Sequence, residues 1–152
     1  MDSQLLLCEA QSVAGNAGTS TVSSNVIYLP QVVDHKNVAM NDRPNVSDRL
    51  HLNIVVEDED LLAEVDGCVI TFALYNDTDA VPTTGGDVIA SVAITENTPT
   101  EHPDGTQICC IPLPVGQLKP YFGLLSTKAT QNLSTGKITA WIGGPIQQGG
   151  NP

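Results

Sequence analysis

The sequence predicts an all-β protein, a β-sandwich of about eight antiparallel strands, on three observations. Several separate segments alternate apolar and polar residues with period two, as a strand buried on one face does. Clusters of Gly, Pro, Asn and Asp divide those segments at intervals of roughly 8–12 residues, the spacing of sandwich and barrel turns. No segment sustains a 3.6-residue apolar repeat, and 13 Gly and 10 Pro in a chain with 15% charged residues favour turns over long helices. A chain of 152 residues fits one domain, residues 1–152. At that size about 68–70% of the unfolded surface can be buried, so the fold needs neither disulfide nor metal.

Gln4–Cys8 and Asn25–Leu29 read as short strands on either side of the small-residue stretch Ala10–Ser24. Gln31–Asp48 holds Pro, Asn and Asp without periodicity and reads as a long loop. In Leu50–Glu57, Leu50, Leu52, Ile54 and Val56 share one parity, while Arg49, His51, Asn53 and Glu57 largely fill the other. That is a half-buried strand. The acidic loop Glu57–Asp66 follows, with a helical turn expected near Asp60–Glu64. Cys68–Tyr75 sets Cys68, Ile70, Phe72 and Leu74 on one face, and Asn76–Gly86 is turn chemistry throughout. Asp87–Thr95 returns as a strand with Val88, Ala90, Val92 and Ile94 on its apolar face. The loop Glu96–Gly105 carries two prolines and an Asp-Gly pair. Gln107–Leu113 and Lys119–Ser126 are strands joined through Pro112–Gly116, and Lys137–Ile142 closes the series against Gly143, Gly144 and Pro145. Shared parity nominates Leu52, Ile54, Ile70, Phe72, Leu74, Val92 and Ile94 for the core. A jelly-roll β-sandwich is the eight-stranded arrangement that fits.

The formal charge is −11, from 17 acidic and 6 basic residues. Nucleic acid is disfavoured as a partner, because phosphate neutralisation needs clustered Lys and Arg. The same argument weighs against an anionic membrane surface. All 17 acids lie in residues 1–104, and residues 105–152 hold only Lys119, Lys128 and Lys137 as charged side chains. The acidic stretches read as solvated loops, or as an acidic outer surface over a near-neutral or basic underside that faces a partner. The run Leu5–Cys8 is too short for a signal peptide and has no basic n-region before it. No stretch approaches the ~20 apolar residues of a transmembrane helix. The expectation is a chain made in the cytoplasm.

Chemistry-bearing motifs are sparse. Cys8, Cys68, Cys109 and Cys110 form no C-x-x-C pair, and adjacent Cys109 and Cys110 point to opposite faces on a strand. Reduced thiols serving as small hydrophobes are expected. The glycines of Ala14–Gly18 lack the Gly-Lys-Ser/Thr of a phosphate loop. His35, His51 and His102 lie apart in sequence, so a facial metal set of the cupin kind is disfavoured, and surface or interface histidines are expected. Glu57, Asp58, Glu59, Asp60, Glu64 and Asp66 have the oxygen ligands of a divalent-cation site but not the EF-hand spacing. A glycosidase carboxylate pair can form from any two strands. However, the chain has only 4% aromatic residues, few for a sugar-stacking cleft. No G-x-S-x-G elbow or local Cys-nucleophile signature is present. The residues therefore nominate no catalytic, cofactor-binding or metal site.

One resemblance covers most of the chain as an ordered series of blocks. It runs through Gln4–Val13 (QLLLCEAQSV), Asn25–Leu29 (NVIYL), Leu50–Glu57 (LHLNIVVE) and Cys68–Tyr75 (CVITFALY). It continues through Ile111–Leu124 (IPLPVGQLKPYFGL), with its P-L-P, Gly, basic residue and Tyr, and Thr135–Ala140 (TGKITA). In this order the blocks resemble the jelly-roll cement, or decoration, proteins on the capsids of short-tailed phages, including those of Bordetella phages. The chain departs from that pattern in the acidic loop Glu57–Asp66, in Gln31–Asp48 and in Pro120 before the Tyr. The resemblance implies a structural virion protein on the outer capsid surface that binds the major capsid protein and bridges its subunits. It implies no enzyme activity and no cofactor. It also implies a homo-oligomer, a dimer favoured over a trimer, and the small-residue segments 1–24 and 143–152 are candidate contact arms by their composition. The alternative is a carbohydrate-binding or adhesin-type β-sandwich module on a host-recognition structure, and a third is a cupin-like metalloenzyme.

Overall fold

Period-two segments can bury their apolar parity only against a second sheet, and two sheets meet in this molecule. The computed structural model describes residues 5–28, 50–80, 86–114 and 119–144. Expectations for Gln31–Asp48, for His35, and for the arm residues 1–4 and 145–152 lie outside the described residues. The strands are β1 (Leu6–Ser12), β2 (Ser20–Val22), β3 (Ile27–Tyr28), β4 (His51–Val56), β5 (Leu62–Ala63) and β6 (Cys68–Asp77). They continue with β7 (Asp87–Glu96), β8 (Gln107–Pro112), β9 (Tyr121–Ala129), β10 (Leu133–Thr135) and β11 (Lys137–Gly143). One sheet has the order β1-β11-β4-β8, and the other β2-β9-β6-β7 with β3 also on β9. A two-stranded β10-β5 ladder is separate from both. Every pairing is antiparallel.

The protein is an all-β antiparallel sandwich. Leu52, Ile54 and Val56 of β4 and Ile138, Ala140 and Ile142 of β11 join Ile70, Phe72 and Leu74 of β6 and Phe122 and Leu124 of β9 in one buried cluster. Val92 and Ile94 of β7 pack against that cluster partly buried, as an edge position dictates. The nominated core is therefore correct in register, and its edge members are less deeply buried than its centre.

Four local expectations need correction. The helical turn near Asp60–Glu64 does not form: Leu61 bridges His102 and Leu62–Ala63 pairs with β10. Leu61 and Ala63 are buried there, so tertiary burial decides the local conformation over helix propensity. Val88 points outward, because Leu74 pairs Ala90 while Tyr75 pairs Val88, a β-bulge that reverses parity at Ile89. The polar parity of β4 is not solvated: His51 and Asn53 are both buried. Asn53 Nδ2 donates to Gly144 O at 3.2 Å and to His51 O at 3.3 Å, so this amide ties β4 to the end of β11. His51 is thus not the surface histidine expected from its parity. Finally, β2 and β10 were not among the expected strands, being three residues each and without apolar alternation.

Candidate interaction surface

The polar groups divide between the ends of the sandwich and a few buried positions. At one end the acidic loop packs against the β7–β8 loop. Asp58 N donates to Asp104 Oδ1 at 3.0 Å, Asp104 N to Asp60 Oδ1 at 2.6 Å, and Thr98 N to Asp66 Oδ1 at 2.6 Å. Thr98 Oγ1 also donates to Asp66, and these two bonds, the side-chain one foremost, hold that carboxyl below the usual range. The carboxylates thus close loops by accepting N–H bonds. Among the described residues no group of three or more His, Cys, Asp or Glu side chains is arranged to hold a metal ion.

The same end holds a buried polar core. Glu96 is fully buried and inward-facing, with its carboxylate accepting from Glu101 N and lying 2.6 Å from His102 Nδ1. His102 is therefore a half-buried strut for the loop rather than an open surface ligand. Cys68 lies opposite Glu96, and Lys128 of β9 is buried with its Nζ donating to Thr21 Oγ1 at 2.8 Å. Burial lowers the Lys128 pKa below the ordinary lysine value. Lys119 bonds Asp87 at 2.8 Å, and Lys137 lies 3.9 Å from Asp58. The three lysines of residues 105–152 are thus buried or engaged with acids, and they do not gather into a basic underside.

The thiols are structural in setting. Cys8, Cys68 and Cys109 are buried and Cys110 is half-buried, all as free cysteines. Burial pushes the Cys8 thiol up to about 11 and the Cys109 thiol up to about 12, and it raises Cys68 as well. Thiolates are scarce at such values, so these groups are poor nucleophiles. At about pH 8 the native chain should be alkylated at Cys110 alone, and reductant should leave the melting temperature unchanged. Mass spectrometry of the labelled chain checks the first point; a melting temperature that falls with dithiothreitol contradicts the second. A cleft beside Cys8, Ser126 and Leu124 encloses about 10 Å³, room for about one water molecule rather than a small-molecule ligand.

What remains is a sheet face. The register fixes which side chains of the β2-β9-β6-β7 sheet point away from the core. One row across it is Ser91–Ala73–Leu125–Val22. The next is Ala93–Thr71–Thr127–Ser20, in which Ser20 and Thr127 share a 3.0 Å hydroxyl bond. Towards one end Val88 pairs Tyr75, and Tyr28 pairs Tyr121 with ring centroids 4.9 Å apart. Of the outward positions this register places, Asp77 alone is charged. No protein-family model and no curated protein matches the chain.

The outward positions this register places thus carry one charge, on a chain of formal charge −11. Val22, Tyr28 and Val88 are 45%, 56% and 51% exposed on this face, so apolar area stands in water there. Interface cores are depleted in charge in the same manner, and contiguous apolar patches mark contact sites. Sequence parity found β6, β7 and β9 of this face, but not the short edge strand β2. The face was missed as a site because its signal is an absence of charge spread over four segments.

Proposed function

We propose that the chain is a structural binding protein, a capsid cement or decoration protein, whose charge-poor sheet face seats on a shell of major capsid protein. The single observation that carries this reading is that outer face, with Asp77 as its one charge in a strongly acidic chain. Docking such a face removes apolar and small hydroxyl side chains from water, with Asp77 the one placed charge to be accommodated. The acids stand mostly in the end loops, where they keep the chain soluble and discourage non-specific association. The ordered blocks of sequence that resemble phage cement proteins supply the partner. The strand orders β1-β11-β4-β8 and β2-β9-β6-β7, with the β6–β7 hairpin remaining inside one sheet, support reading the sandwich as a jelly roll. In this reading the protein needs no enzyme activity or cofactor, and a homo-oligomer multiplies a weak contact through effective concentration.

The test is to mix purified protein with capsids that lack it. Saturable binding at a copy number set by the shell lattice is expected. The second reading, a carbohydrate-binding or adhesin module, draws on the Tyr28–Tyr121 pair, which offers a small aromatic surface at the sheet edge. Native particles carrying only a few copies, together with glycan binding abolished by Tyr28→Ala, would favour that reading instead.

A further inference from the structure

We propose that β7 pairs with the β7 of a second copy, antiparallel across a two-fold axis, joining two sheets into one continuous sheet. The proposal rests on the self-association in the function above and names its contact surface. The four sheet edges differ, and an unpaired strand is a template for another chain unless something blunts it. On the β1-β11-β4-β8 sheet, β1 carries two register shifts, a left-handed Ala10 at φ 43° and the charged Glu9. At its other edge, β8 meets β4 through a register shift and ends at Pro112. On the second sheet one edge is broken into the three-residue β2 and the two-residue β3. Each of these edges has a blunting device.

The fourth edge differs. β7 is ten residues long, and β6 is its one ladder partner among the described residues. Its bulge lies at Ile89, at one end, so Ala90–Glu96 runs in unbroken register against Leu74–Cys68. No charge, Pro or Gly occurs from Val88 to Thr95. Of the two acids that end the strand, Glu96 turns its carboxylate into the core, and the exposed Asp87, beyond the bulge, is paired with Lys119 at 2.8 Å. Outward side chains at Ser91, Ala93 and Thr95 are small and exposed, so a second strand can approach without steric conflict. The occupant is a second copy because an antiparallel strand edge is complementary to itself, and a two-fold contact of this kind closes without forming fibres. The uncharged run Val88–Thr95 also lets two chains of formal charge −11 pair there without like charges directly opposite one another.

The test is sedimentation of the full chain over a range of concentrations, with hydrogen exchange followed at the amides of Ala90–Thr95. The expected result is a dimer in which exchange at alternate amides of this run slows as dimer forms. Ser91→Glu combined with Ala93→Glu, both at exposed positions, should weaken the dimer about tenfold or more while the melting temperature holds. A dimer that forms with exchange in Ala90–Thr95 unchanged overturns the β7 contact and leaves self-association standing. A chain that stays monomeric throughout overturns both, and its binding to capsids, measured separately, still decides the shell reading.

Discussion

Replacing Phe72 with Ala is expected to cost ~3–5 kcal/mol of folding stability, the range for truncating a buried aromatic. Phe72 is fully buried on β6, the strand flanked by β7 and β9, and it pairs Val92 on one side and Ser126 on the other. Its ring therefore sits near the middle of the space between the sheets. Phe72 is among the largest fully buried side chains, so the upper half of the range is the more natural outcome. Denaturant titration should show a lower midpoint at an unchanged slope, the signature of lost stability without a change in the surface exposed on unfolding. An unchanged midpoint would mean that the inward register of β6 is wrong.

That register was legible in the sequence because β6 alternates without interruption from Cys68 to Asp77, and its burial alternates in step. β7 was legible as a strand but not at Val88, since a bulge leaves no mark in a run of Val, Ile and Ala. β4 misled in the opposite sense. His51 and Asn53 look like a solvated parity, and only the structure brings Gly144 within reach of the Asn53 amide. The acidic loop was read as solvated or cation-binding, whereas Asp58–Asp104 and Thr98–Asp66 hydrogen bonds span more than thirty residues, beyond any local pattern. The candidate face follows the same rule. Its long strands β6, β7 and β9 could be read from the sequence, but not the three-residue β2, and not their adjacency, because order in a sheet is set by non-local pairing.

Gly136→Ala is the second change with a large expected effect, at ~2–4 kcal/mol destabilising from backbone strain and overpacking together. Gly136 lies between β10 and β11 at φ +145°, a conformation that favours glycine. A Cβ there would lie 2.4 Å from Leu61 Cδ2 and 3.3 Å from Leu61 Cα. Leu61 is fully buried and held by its bridge to His102, so it cannot swing clear cheaply. The Gly136 carbonyl also accepts from Val13 N at 2.9 Å, which couples this turn to the segment after β1. A shift of Gly136 would disturb the acidic end as well as the β10-β5 ladder. Thermal unfolding of the variant measures the loss, and a melting temperature equal to that of the parent chain would contradict the close packing against Leu61.

In the proposed function the charge-poor outer face of the β2-β9-β6-β7 sheet seats on a capsid. The most direct measurement is the capsid titration with two proteins side by side, the parent chain and Ala73→Glu. Ala73 points outward between Ser91 and Leu125 in the middle of that face, so the new charge alters the surface and spares the core. The account predicts saturable binding by the parent chain, and binding weakened at least about tenfold by the variant at an unchanged melting temperature. Equal binding by both proteins would contradict the face as the contact surface, and no binding by either would contradict the capsid as the partner.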